Sequence, residues 1–448
     1  MCCNAHFAAG VIVLALVFLS NLSCTVNECS GGSLCNNQAI TTLKILSLSP
    51  LKSLDAPKIS LHNKDLKGSG AYWSLHHSDS DHLYVGFPSL GEVDLLSLPE
   101  MLNFEERIAD YFGDPDEGFG HSISTITTND PLLLIGAPYK HHNGYNEGSI
   151  YIYTEDIFFG EIIGDQNNGQ LGADLVECGD LDQDGFNDVI APRSYWQLDE
   201  NTSLVGEVRL LLSSLLSKPF AQMSITEFPS LHGTQANSRF GYSVDCRSDF
   251  NEDGTPEILI GAPFSRGFAM ATGAVHLYDG ASLELLNTSY GTTKNSWRGW
   301  SVSTGQMDDE APEIIVGSPG ENNGTGKISI WKNGALNELP HMIIEGAQKG
   351  EAFGSKITLQ DLNKDGLNHL IVSGAKFDTE EHDDAGILYV TSTTGLLEQD
   401  ELSSADLSDV FYGYRQNQRA GSRLYTADLN NNETLEIILL LDESKSLY

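Results

Sequence analysis

Basic side chains are scarce in this 448-residue chain: 25 lysines and arginines stand against 62 aspartates and glutamates, a formal charge of -37. A surface so negative repels nucleic-acid phosphates and anionic lipid headgroups, and no basic patch offsets it, so neither is expected as a partner. Divalent cations are the natural counter-charge. Cysteine is also sparse, with seven residues, and neither a CxxC pair nor an HExxH stretch occurs, so structural-zinc and zincin readings find no support. Past residue 20 no apolar run reaches the roughly 18 residues of a membrane span, so no transmembrane segment is expected in the mature chain. Helical periodicity is nearly absent. Disorder is excluded in turn by 40% hydrophobic content with 44 glycines and five tryptophans.

The chain opens with AGVIVLALVFLS at residues 9–20, an apolar run of signal-peptide length, followed by small and polar residues around Ser23 and Cys24. Residues 1–23 read as a cleaved secretory signal; the missing basic flank leaves an uncleaved anchor as the alternative. Residues 24–40 form a short Cys-containing segment. Glycosylation sequons at Asn201, Asn287, Asn323 and Asn432 fit a secreted, extracellular glycoprotein. In an oxidising compartment Cys29 and Cys35 are expected to bridge. Cys178 and Cys246 occupy corresponding stretches of two repeats. A bridge between them is open, but buried free thiols are the expectation.

From residue 41 onward the chain repeats itself. GFGHSISTITTNDPLLLIGAPY from Gly118, LGADLVECGDLDQDGFNDVIAPRS from Leu171, RFGYSVDCRSDFNEDGTPEILIGAPF from Arg239, RGWSVSTGQMDDEAPEIIVGSPG from Arg298 and AFGSKITLQDLNKDGLNHLIVSGAKF from Ala352 share one plan. A residue beside Gly starts an alternating strand, a turn follows, and a second apolar strand ends in Gly-Ala-Pro or a relic of it. The marker glycines Gly120, Gly172, Gly241, Gly299, Gly354 and Gly421 lie between 52 (Gly120 to Gly172) and 69 (Gly172 to Gly241) residues apart. A third strand follows each unit, and a weaker fourth precedes the next. Four short strands per unit with punctuating glycines predict β-propeller blades. A degenerate first repeat spans 68–96, and the last unit lacks its final strands. The N-terminal stretches TTLKILSL (41–48) and PKISLHNKD (57–65) are available to complete it. The expected fold is therefore all-β: a seven-bladed β-propeller of four-stranded antiparallel blades over 41–448, closed by N-terminal strands, which hides sheet edges.

The turn between the first two strands carries the chemistry. In DLDQDGFND, Asp180, Asp182 and Asp184 hold positions one, three and five, Gly185 permits the bend, the Phe186 carbonyl holds position seven and Asp188 position nine. Such an oxygen cage suits Ca2+. An EF-hand is rejected, since Ala191 replaces the twelfth-position glutamate and strands flank the loop. Asp249, Asn251, Asp253, the Thr255 carbonyl and Glu257 keep the whole pattern. Asp361, Asn363, Asp365 and the Leu367 carbonyl keep its first half, with His369 weakening position nine. Asp428, Asn430, Asn432 and Glu436 keep the ligands with Glu433 in place of Gly, and Asn432 is also a sequon residue. Two full and two weaker Ca2+ sites are expected, against the bland alternative of solvated acidic turns. The turn GQMDDEAPE has lost the spacing, and TTNDPL has none of the pattern.

These motifs resemble FG-GAP repeats, the units of the integrin α-subunit N-terminal propeller, and are similar to the C-terminal propeller of glycosylphosphatidylinositol-specific phospholipase D. The resemblance covers roughly residues 41–448 and is strongest in SRFGYS…DFNEDGTPEILIGAP and LGADL…DLDQDGFNDVIAP. It implies that calcium at these turns is structural, stiffening blades on the face away from a ligand. The sequence carries neither thigh-like domains after the repeats nor an N-terminal phospholipase domain, so the resemblance implies a scaffold and withholds the activity. The expectation is a non-catalytic, cell-adhesion-type module for an extracellular protein or glycan ligand. The alternative is a propeller module of a phospholipase D-type GPI-anchor hydrolase whose catalysis lies elsewhere. Adjacent pairs His76-His77 and His141-His142 point to opposite strand faces and make no metal site.

Overall fold

The computed structural model describes residues 42–46, 74–79, 82–97, 107–155, 157–198, 204–308, 310–399, 402–414, 416–428 and 434–441. Among these residues seven sheets follow one another along the chain. Sheet one comprises Ser74–Asp79, His82–Phe87, Glu92–Ser97 and Arg107–Phe112; sheet two comprises Ile123–Ile126, Leu132–Ala137, Ser149–Thr154 and Ile157–Ile163. Sheet three comprises Val176–Glu177, Val189–Arg193, Glu207–Leu211 and Ser230–His232, and sheet four Ser243–Asp245, Ile258–Ala262, Ala274–Tyr278 and Leu285–Tyr290. Sheet five comprises Val302–Gly305, Glu313–Ser318, Lys327–Lys332 and Met342–Glu345, and sheet six Phe353–Gln360, His369–Gly374, Ile387–Ser392 and Asp409–Tyr412. Within each sheet these neighbours pair antiparallel. Sheet seven holds Leu424–Ala427 and Glu436–Leu441, and the N-terminal strand Thr42–Leu46 adds to it antiparallel, Thr42 opposite Leu441. The stretch 57–65 lies outside the described residues. Helix among them amounts to the single turn Glu321–Gly324 and a few 3-10 segments.

Second strands are buried along their whole length, as in Leu132–Ala137, Val189–Arg193 and Ile258–Ala262. Their unbroken apolar runs follow from apolar layers on both faces. Those layers sit in the gaps between successive sheets. Val93 and Tyr111 of sheet one meet Phe119 and Ile135 of sheet two, and Val208 and Leu210 of sheet three meet Phe240 and Ile260 of sheet four. Ile315 and Ile330 of sheet five likewise meet Ile357 and Leu370 of sheet six. The aromatic beside the marker glycine packs into these gaps: Phe119, Phe240 and Phe353 are almost wholly buried in them. Each ring also meets a tyrosine of its own third strand edge-on, Tyr151, Tyr278 and Tyr389 at 5.3, 6.0 and 5.5 Å.

The paired glycines set how closely sheets approach. A Cβ on Gly136 would collide with the Gly172 carbonyl of the next sheet, and one on Gly261 with that of Gly299. A serine two residues past the marker glycine donates its hydroxyl to the same carbonyl: Ser122 to Gly172 at 2.8 Å, Ser243 to Gly299 at 2.9 Å, Ser301 to Gly354 at 2.7 Å. Sheet three departs from the motif. Arg193 stands where Ala137 and Ala262 stand in sheets two and four, and it is fully buried between Glu207 at 2.8 Å and Asp165 at 2.6 Å. First-strand regions of sheets one, three, four, six and seven line one cavity of about 640 Å3, through Leu75, Glu177, Arg247, Gln360 and Tyr425.

Two features were not expected. Cys178 and Cys246 form a disulfide, Cα atoms 5.1 Å apart, which ties sheet three to sheet four. The expectation of free thiols is thereby corrected: each cysteine directly follows the first strand of its sheet, and the two adjacent sheets bring them within bonding reach. Sheets two and five also gain a parallel fifth strand, Gln222–Ser224 on Ile157–Ile163 and Leu402–Ser403 on Met342–Glu345. Each added strand leads into a 3-10 turn fastened by a capping box, Ser224 with Glu227 and Ser403 with Asp406.

Candidate metal centre

The turn of sheet three is organised by its first residue. Asp180 accepts the amides of Asp184 at 3.0 Å and Gly185 at 2.7 Å, one per carboxylate oxygen, and Asp184 accepts that of Phe186 at 2.9 Å. Gly185 needs its glycine for φ +93, not for space, since nothing lies within 4 Å of a Cβ there. The turn of sheet four repeats the arrangement: Asp249 accepts from Asp253 and Gly254 at 3.3 and 2.8 Å, and Asp253 from Thr255 at 2.8 Å. In sheet six Asp361 accepts from Asp365 and Gly366 at 3.2 and 2.9 Å, and Asp365 from Leu367 at 2.9 Å. The carboxyl of Asp365 is held below its usual range by the Leu367 amide and by Asn363. In all three turns the first and fifth carboxylates thus tie down the backbone amides of the bend.

The ninth-position carboxylates are buried at the floor of the turns. Asp188 accepts the amides of Leu181 and Ser213, both at 2.7 Å, yet burial lifts its carboxyl to about 6 against those bonds, with the Asp182 charge adding to the rise. Glu257 accepts the Phe250 amide and is likewise raised to about 6 by burial, with Asp249, Asp253 and Asp279 adding repulsion. Asp180, Asp182 and Asp188 bring one oxygen each within 4.8 Å of one another. Two buried oxygens, Asp182 Oδ1 and Glu257 Oε1, have no hydrogen-bond partner. Buried anionic oxygens without donors, beside like charges, are destabilised unless a cation satisfies them. The residues present therefore fit an oxygen-ligated divalent ion, with the carbonyls of Phe186 and Thr255 on the same turns. In sheet six His369 offers no anionic oxygen at position nine, and its Nδ1 is buried without a partner. Asp428 of the fourth turn is buried, and Glu436 begins the strand paired with it, opposite Ala427. Asn430 and Asn432 lie outside the described residues.

Residues at the end of the third strand cover these turns, and sequence reading missed them. Ser213 Oγ donates to Asp184 Oδ2 at 2.8 Å, Ser214 Oγ to Asp182, and Asn251 Nδ2 to Asp279 Oδ2 at 3.0 Å. In sheet five Lys332 reaches Asp308 and Glu310 at 2.6 and 3.1 Å. Strand register is the signal that finds them, because the third-strand end stands across from position nine.

The loops joining second to third strands leave from the other end of each sheet. There Tyr242, Phe264, Trp297 and Trp300 form a connected aromatic cluster with ring centroids 4.8–6.1 Å apart. The Arg239 guanidinium lies over Tyr195 and Phe264 at 4.6 and 5.1 Å. Phe268 and Met270 of the same loop are 90% and 58% exposed. His141 stacks on Tyr145, while His142 contacts Ser149 and Glu147, so the histidine pair is not convergent.

Comparison with known proteins agrees with the repeat motifs. The chain is 30% identical to integrin alpha-5 of Xenopus laevis over 155 residues, 32% of this chain and 14% of that one. It is 25% identical to human integrin alpha-8 over 307 residues, 60% of this chain and 28% of that one. It is 30% identical to bovine phosphatidylinositol-glycan-specific phospholipase D over 149 residues, 31% of this chain and 18% of that one. The matches thus span less than a third of those relatives' lengths. No protein-family model matches the chain. Among solved structures, Sqt1 of Chaetomium thermophilum aligns at 12% identity over 83% of this chain and 82% of that one, with a TM-score of 0.48, too low to carry an argument. The molecule is an all-β, propeller-like protein of successive antiparallel sheets. Its repeats are similar at modest identity to those of integrin α subunits and this phospholipase D, consistent with FG-GAP repeats.

Proposed function

We propose that the chain is a secreted, calcium-stabilised, seven-bladed β-propeller that acts as an extracellular binding or adhesion module. In this reading residues 1–23 are removed as a signal, 24–40 form a short Cys-containing segment, and 41–448 close into a ring, with Thr42–Leu46 completing the last blade. The shared cavity lined from five sheets supports that closure. Calcium is held at the turns of sheets three and four, and more weakly at those of sheets six and seven. The observation that carries the function is the division of the two sheet ends. One end gathers buried, repelling carboxylates that suit an ion, whereas the other presents exposed aromatics and Arg239, the residue types that anchor protein partners.

A double variant Phe268→Ser with Met270→Ser tests the loop face. Both side chains are mostly exposed, so folding should be untouched, while binding of the labelled protein to cultured cell surfaces should fall at least tenfold. Unchanged binding would sink the assignment of that face. A second reading, a non-catalytic module of a GPI-anchor phospholipase D system, is favoured by the bovine phospholipase D match. Faster release of a GPI-anchored reporter by a GPI-specific phospholipase D when the purified chain is added, with no release by the chain alone, would replace the binding reading with it.

A further inference from the structure

In sheet five the acidic turn survives without the alternating spacing. Asp308 and Glu310 face outward, and Glu313 takes the floor position: it is fully buried, accepts the Met307 amide at 2.8 Å, and leaves Oε1 without a partner. Glu257 of sheet four has the same burial, the same amide contact through Phe250 and the same unpartnered Oε1. What differs is the residue across from them. Lys332 pairs with Glu313 in the strand register, and its ammonium reaches Asp308 at 2.6 Å and Glu310 at 3.1 Å. In sheet four that place belongs to Asp279, which follows Tyr278, the partner of Ile258, and accepts from Asn251 of the turn. In sheet three the neutral hydroxyls of Ser213 and Ser214 meet Asp184 and Asp182.

We propose that Lys332 is a tethered cation that takes the place of a divalent ion in sheet five. The residue closing the third strand then selects, sheet by sheet, between a metal-dependent turn and a self-neutralised one. The inference rests on the reading that the turns of sheets three and four hold divalent ions. The physical basis is charge balance at short range. A turn that gathers three carboxylates needs positive charge within a few ångströms, and a lysine on the neighbouring strand supplies it without loss of a free ion's translational entropy. It also disfavours the ion, since the ammonium repels a second cation at the same turn. A carboxylate at that position, as in Asp279, instead adds a further oxygen for the metal.

Reciprocal exchange tests this with calcium chloride as the probe. Bound calcium per chain is counted by equilibrium dialysis and elemental analysis, with thermal unfolding in chelator measured beside it. Asp279→Lys should take up one calcium fewer than wild type and lose part of its sensitivity to chelator. Lys332→Met should take up one more and gain sensitivity, whereas Lys332→Arg should keep the wild-type count. A wild-type count in Asp279→Lys would overturn the inference. If that variant does not fold, Lys332→Met decides alone, and a count equal to wild type overturns it. Wild-type protein that takes up no calcium would overturn the proposed function and this inference together. Uptake by wild type with unchanged variants overturns the inference only.

Discussion

The imidazole of His276 lies on the third strand of sheet four, against the Phe240 ring at 5.5 Å and within 3.0 Å of Thr288 Oγ1. Burial disfavours its charged form and pushes its pKa from the ordinary 6.5 down to about 4. The unfolded chain therefore takes up a proton near pH 6.5 that the folded chain refuses until about pH 4. Stability is unaffected by it above pH 6.5 and falls as pH drops towards 4, the loss reaching about 3 kcal/mol at 1.36 kcal/mol per unit. Urea unfolding measured from pH 7.5 to 4.5 should show this limb, and His276→Gln should flatten it. An equally steep limb in the variant would assign the loss to other groups. Arg193 is a second buried polar side chain. A buried guanidinium is tolerable there because Glu207 and Asp165 both contact it.

At the scale of the element, sheet-to-sheet spacing is set by glycine more than by the bulky core residues. The Phe-Gly aromatics fill the gap, but they fit only because backbone meets backbone at the paired glycines. Gly261→Ala would drive a methyl group into the Gly299 carbonyl, and backbone on both sides cannot yield cheaply. A loss of about 1–3 kcal/mol is expected, read as a lower urea midpoint with unchanged slope. A neutral substitution would mean that the two sheets stand farther apart than described. The added strands Gln222–Ser224 and Leu402–Ser403 belong to this scale too. They cover the outer edges of sheets two and five, which would otherwise offer unpaired backbone groups to other chains.

For the whole molecule, 62 acidic side chains against 25 basic ones make cations part of the stability balance. Calcium bound only by the folded state should stabilise it by about 2.7 kcal/mol per site at a hundredfold excess over the dissociation constant. Thermal unfolding with calcium and with chelator, on wild type and on Asp182→Ala with Asn251→Ala, measures this. The wild-type melting temperature should fall on chelation and the double variant should respond less. Indifference of both proteins to chelator would reduce the acidic turns to solvated ones.

The repeat, its strand order and the turns Asp180–Asp188, Asp249–Glu257 and Asp361–Leu367 were legible in the sequence because they are local. Period-2 alternation, a glycine at a positive φ and carboxylates at alternate positions are each written within ten residues of chain. The parts that escaped are those in which distant residues meet. Cys178 and Cys246 are 68 positions apart, and nothing in their spacing says that adjacent first strands bring them together. Asp279 and Lys332 look like ordinary strand ends until register places them across from Glu257 and Glu313, and Ser213 does so until the fold brings its amide to Asp188. The sequence by itself determined which segments are strands and which turns carry charge, since propensity and periodicity act between neighbours. Only the tertiary structure decided what faces each turn (hydroxyl, carboxylate or ammonium), because burial and Coulomb energy depend on distance in space, and the chain order does not record it.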